Sequence, residues 1–100
     1  MMTFTASFFN SLPKGGSAKD FEAAFRTCFS ADVCRSRNAK GMVQLALAEA
    51  ADISLRQLQN IENGKSIPKA DTFLRLLYVL DLDPNKYKDL FRRLAEQDRE

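Results

Sequence analysis

At 100 residues, with 45% hydrophobic and 28% charged content, the chain can bury one modest core and is too apolar to be mostly disordered, so a single soluble domain is expected. No apolar run approaches the roughly 18 to 20 residues of a membrane helix, and the N-terminus has no basic start before a continuous apolar core, so neither insertion nor export is expected. The net charge of +2 is too small to mark a nucleic-acid partner by itself, and its distribution adds only a mild basic bias around Arg26, Arg35, Arg37 and Lys40.

Residues 1–16 mix Thr, Ser, Asn, Gly and Pro with Phe4, Phe8 and Phe9, and end in the breaker run Pro13-Lys14-Gly15-Gly16. They read as part of a flexible N-terminal arm over residues 1–19, whose aromatics dock on the domain, dock on a partner, or are merely tolerated. Ser17 or Asp20 can cap a first helix, in which Phe21, Ala24, Phe25, Cys28, Phe29 and Val33 recur at three and four as a core stripe, to about Asn38. Cys28 and Cys34, six apart on that helix, diverge and cannot close a disulfide. A reducing, cytoplasmic setting suits them. With no His and only these two Cys, no metal site is expected.

A second helix is predicted over about 43–51, with Met42, Leu47, Ala48 and Ala51 inward. Ser54 caps a third, short helix that Gly64 ends; Leu58 and Ile61 form its inner edge, while Leu55, Arg56, Gln57, Gln59 and Asn60 are left mostly outside. Pro68 opens a fourth helix, about 69–80, with Phe73, Leu76, Leu77 and Leu80 inward, and residues 81–84 break it. Tyr87, Leu90, Phe91 and Leu94 mark a fifth amphipathic helix over about 85–97, followed by a short tail at 98–100. No strand alternation competes, so the fold class is all-α, a compact five-helix bundle over residues 20–97.

One ordered set of residues carries more than periodicity: Gly41, Gln44, Leu47, Ala48, Ile53, Ser54, Leu58, Ile61-Glu62-Asn63-Gly64, Lys65, Pro68, Thr72, Leu76 and Leu80. From about residue 36 to 84 the chain resembles the helix-turn-helix domains of phage repressors, Cro proteins and Xre-like bacterial regulators. Small Ala48 lets the second and third helices approach, and Leu47, Ile53, Leu58 and Ile61 fill the wedge between them.

The resemblance implies double-stranded DNA as partner, with the helix at about 54–62 in the major groove. It places Leu55, Arg56, Gln57, Gln59 and Asn60 at base-reading positions, Arg56 and Gln57 foremost, because Arg pairs with guanine, Gln with adenine, and Leu55 suits a thymine methyl. It assigns Gln44, Asn63 and Lys65, with Lys69 as helper, to backbone phosphates. Arg37 and Glu62 align with a structural ion pair that ties the first helix to the end of the reading helix. A homodimer on a roughly palindromic operator, repressing by occupying a promoter, is the function implied. The fifth helix is either the dimer interface or the closing wall of the core.

The sequence departs from the family at Val43, in place of a polar cap; at Leu45 and Ala46, where polar residues are usual; at Asp52, in the turn-glycine position; and at Lys69, where Ser is common. The surplus at Val43 and Leu45 suits a cover by the arm or by a protein partner. That keeps an interaction module, such as an antitoxin or anti-repressor with or without DNA binding, as the alternative. Catalysis is not expected: no nucleophile, phosphate-binding glycine loop or carboxylate cluster sits in a recognised arrangement, and no cofactor is implied.

Overall fold

The computed structural model describes residues 18–98. Among them are five helices: α1 (Ala18–Ala39), α2 (Gln44–Ala50), α3 (Leu55–Glu62), α4 (Ala70–Leu80) and α5 (Asn85–Asp98). The class is all-α, a compact five-helix bundle. Most of the arm and the last two residues of the tail lie outside the described residues, as does the proposed cap Ser17. Asp20 is not a cap: α1 already runs from Ala18, which places Asp20 in its first turn, where its charge suits the helix N-terminus.

The 22-residue α1 is the axle of the bundle, packed against α3, α4 and α5. Its stripe at three- and four-residue spacing buries Ala24, Phe25, Cys28, Phe29 and Val33. Phe25 and Phe29 meet Phe73 of α4 and Tyr87 of α5 in a tetrad of rings whose centroids lie 5.1 to 5.7 Å apart. Most of these pairs are tilted or edge-on, the arrangements favoured by the ring quadrupole, and such pairs contribute about 0.5 to 1.5 kcal/mol each beyond area burial.

Four of the helices stop in the same way. After α1, α2, α3 and α4 comes a left-handed residue, Gly41 (φ 69), Asp52 (φ 57), Gly64 (φ 72) or Asp81 (φ 57). Its N–H reaches back three residues, and the next residue's N–H reaches back five, as in Gly41 to Asn38 with Met42 to Arg37, or Asp52 to Glu49 with Ile53 to Ala48. This pair of hydrogen bonds satisfies two of the last carbonyls and turns the chain sharply. Asp52 therefore adopts the left-handed backbone that its place in the turn demands, which Asp tolerates better than most residues.

On α5, Tyr87, Leu90 and Leu94 are buried against the bundle, closing the core. Phe91, one of the four apolar residues that mark this helix, is 53% exposed and meets Phe21 edge-on at a 5.2 Å centroid distance. Position 91 sits one residue beyond the inward Leu90, and a helix advances about 100° per residue, which carries Phe91 to the rim.

A buried carboxylate secures α5. Asp32 of α1 is 1% exposed; it accepts from Tyr87 Oη at 2.7 Å, Lys86 Nζ at 3.0 Å and Arg35 Nη1 at 3.2 Å. The thiol of Cys28 donates to it at 3.7 Å. Burial, reinforced by the Asp32 charge, pushes the Cys28 thiol up to about 12, and burial with the Asp32 hydrogen bond raises the Tyr87 phenol.

Candidate nucleic-acid interface

The joint between α2 and α3 is built from the interior outward. Leu47, Ala48 and Ala51 of the α2 end are buried with Leu58 and Ile61 of α3, and Ile53 packs against them from the turn. Ala48 has almost no side chain to hold the helices apart, so α3 lies close across α2.

Ser54 starts α3 with a reciprocal cap. Its Oγ accepts from Gln57 N at 3.0 Å, and its own N–H donates to Gln57 Oε1 at 2.9 Å. Ser-x-x-Gln is the spacing of a capping box, so Gln57 has a structural role beside the base reading that the resemblance implies. In this structure the amide oxygen of Gln57 is engaged by the cap, leaving its amide N–H groups as the outward donors. Leu55, Arg56 and Gln57 are exposed on the first turn of α3; Gln59 and Asn60, expected mostly outside, are half-buried. The outermost face of α3 is therefore narrower than the sequence pattern implies.

The other end of α3 is held by Glu62, whose side chain is buried. Arg37 donates to it twice, Nε to Oε2 at 2.7 Å and Nη2 to Oε1 at 3.0 Å, while Arg37 Nη1 holds the Met42 carbonyl at 2.9 Å. Gln44 Nε2 donates to Glu62 Oε1 at 3.0 Å, and Cys34 Sγ to the same oxygen at 3.4 Å. Ser30 Oγ donates to the Glu62 backbone carbonyl, capping α3 from α1. Burial pushes the Glu62 carboxyl upward, but the hydrogen bonds from Arg37, Gln44 and Cys34 outweigh it and leave the group below its ordinary value. The Glu62 hydrogen bond in turn raises Arg37 against the cost of burial, and burial followed by Glu62 raises the Cys34 thiol.

Ser30 and Cys34 were not anticipated as part of this seam. Their spacing with Arg37 was the available signal: residues 30, 34 and 37 share one face of α1. Gln44 is half-buried and spends one amide hydrogen on Glu62; its second amide hydrogen and the first-turn N–H groups of α2 remain, since Val43 caps α2 without a side-chain bond. Asn63, Lys65 and Lys69 are exposed along the exit from α3, Lys69 standing at the start of α4, again without a side-chain cap. Val43 at 67% and Leu45 at 53% exposure are the apolar exceptions on α2.

Among the described residues no helix is long and apolar enough to cross a membrane, and no group of three His, Cys, Asp or Glu side chains gathers as a metal site. Comparison with curated proteins and with solved structures gives no match. Residues 35–87 match the family described as Helix-turn-helix, and they contain α2, the Asp52 turn, α3 and α4. This fold supports DNA-binding regulation in general. Because the match covers more than half of the chain and its helices meet as that fold requires, the protein belongs to the helix-turn-helix family.

Proposed function

We propose that this protein is a sequence-specific, DNA-binding transcriptional regulator that represses by occupying an operator, with the first turn of α3 in the major groove. The observation that carries the reading is the exposed set Leu55, Arg56 and Gln57 on a helix start fixed by the Ser54 cap. Arg56 is assigned to guanine and Leu55 to a thymine methyl, while Gln57 contributes through its amide N–H groups and exchanges its cap for a full adenine contact. Gln59 and Asn60 reach bases at the edge of the footprint. Gln44, Asn63, Lys65 and Lys69 hold phosphates and set the register. The ion pair of Arg37 with Glu62 is structural.

One short helix spans few base pairs, so the active species is a homodimer on half-sites about one helical turn apart. The outer face of α5, where Phe91 stays exposed, is assigned to the dimer contact. The protein acts in the cytoplasm, where Cys28 and Cys34 stay reduced. Selection of binding sites from random duplex DNA, repeated with Arg56→Ala, tests the reading. An enriched motif that loses one position on substitution supports it, with a cost of about 1 to 3 kcal/mol at that base; no motif, or one indifferent to the substitution, overturns it.

The exposure of Val43 and Leu45 favours a second reading, an interaction module of the antitoxin or anti-repressor kind that docks a protein on α2. A pure module of that kind has no salt-sensitive affinity for duplex DNA and keeps its activity in Arg56→Ala. A DNA regulator shows the reverse, and loses affinity for most sequences alike in Gln44→Ala and Lys65→Ala.

A further inference from the structure

The Glu62 seam fixes the C-terminal end of α3, but it is the N-terminal end that carries Leu55, Arg56 and Gln57. A different residue braces that end. We propose that Arg75 of α4 is a positioning residue for base reading, acting through the joint between α2 and α3. This role rests on the DNA-binding reading above.

The geometry begins at the end of α2. Its carbonyls at Ala48 and Glu49 are taken by the N–H groups of Ile53 and Asp52. The carbonyl of the buried Ala51 lies beyond them and accepts instead from Arg75 Nε at 2.8 Å. A cationic donor at a helix C-terminus satisfies an orphan acceptor and complements the negative end of the helix dipole.

The same guanidinium is steered from its own helix. Arg75 Nη1 donates to Asp71 Oδ2 at 3.0 Å, one turn earlier, and Nη2 to Thr72 Oγ1 at 3.4 Å. The planar fork is thus tied on two sides to α4 and on the third to the α2 end, an arrangement that a flexible ammonium does not reproduce. Ala51 stands four residues before Leu55, separated from it by the left-handed Asp52, Ile53 and the Ser54 cap. Chain continuity runs from α3 through the loop bearing Lys65 and Lys69 into α4, and Arg75 returns from α4 to the joint. The cross-brace closes that circuit and fixes the direction in which α3 begins.

The test compares wild type, Arg75→Lys, Arg75→Met and Asp71→Asn, each kept well below its unfolding midpoint. The readout is the ratio of affinities for the duplex selected by the wild type and for a scrambled duplex, with the salt dependence of each. A misaimed helix start acts like a mismatched base pair, so the ratio is expected to fall about tenfold in Arg75→Met. A smaller fall is expected in Arg75→Lys and Asp71→Asn, with scrambled-duplex affinity and salt slope unchanged. The Lys and Asn variants keep the test intact if the Met variant does not fold.

Lower thermal stability with an unchanged ratio in all three variants overturns the positioning role. An equal loss on both duplexes with a shallower salt slope also overturns it, because Arg75 is then a phosphate contact. A wild type that prefers no duplex overturns the DNA-reading function itself, whereas a selective wild type with insensitive variants overturns Arg75 alone.

Discussion

Two buried carboxylates organise this protein, and they do different work. Glu62 holds the end of α3 to α1 and α2 through Arg37, Gln44 and Cys34; Asp32 holds α5 to α1 through Lys86 and Tyr87. On α1 the first seam uses positions 30, 34 and 37 and the second uses 28, 32 and 35. Each position of one set is offset by two residues from the other, about 200° around the helix, so the seams occupy nearly opposite faces of one axle. Damage to the α3 seam should reach DNA binding as well as stability, whereas damage to the α5 seam should reach stability first.

The largest separation of the two seams is expected from Asp32→Ala. It leaves Lys86, Arg35 and a buried phenol without their shared acceptor, and breaking a buried pair from one side costs about 3 to 5 kcal/mol. Urea unfolding should show that loss, while the folded fraction at low temperature keeps its DNA affinity; a parallel collapse of DNA affinity would break the distinction. Glu62→Ala should cost somewhat less, about 3 kcal/mol, because Arg37 keeps its bond to the Met42 carbonyl. In that variant DNA affinity should fall even where circular dichroism shows full folding, and unchanged affinity would show that the α3 seam is structural only.

Solution pH should then load the seams from opposite ends. Glu62 has a depressed value when folded, so its contribution is present above the ordinary carboxylate range and is lost as pH falls through the folded value. Cys28 runs the other way: its contribution is complete below its unfolded value of 9.0 and is lost as pH rises from there toward about 12. Urea midpoints recorded from acid to alkaline pH should show the acid limb altered by Glu62→Gln and the alkaline limb by Cys28→Ala. An alkaline limb indifferent to Cys28→Ala would remove that thiol from the account. The smallest effect belongs to the α3 start, where Ser54→Ala should cost about 1 kcal/mol and release Gln57, detectable as a shift of its side-chain amide resonances.

The seams also differ in how far they could be read from residues alone. Periodicity locates all five helices, because apolar side chains recur at three and four along each one. Gly41 and Gly64 announce left-handed helix ends by their type. Asp52 is recognisable only through the turn it occupies, and Asp81, which does the same for α4, carries no sequence mark beyond a breaker-rich stretch. Arg37 and Glu62 lie within the family segment and can be paired by resemblance. Asp32 precedes the matched residues 35–87, and the two partners that tie it to α5, Lys86 and Tyr87, stand 54 and 55 positions away, so the nearby Cys28 and Arg35 alone do not identify it as buried. Gln57 teaches a different lesson: residue type points to base reading, whereas the Ser54 spacing also specifies a cap, and the cap is formed.

The two thiols provide each seam with a chemical clock. Alkylating reagents attack thiolates, and a group held near 12 is ionised to only about one part in ten thousand at pH 8. Cys28, sealed beneath α5, should therefore label only when the bundle opens. Cys34, half-buried beside Glu62, should label through smaller excursions of the α3 seam. Their relative rates would time the release of the two helices within one chain, without any introduced probe.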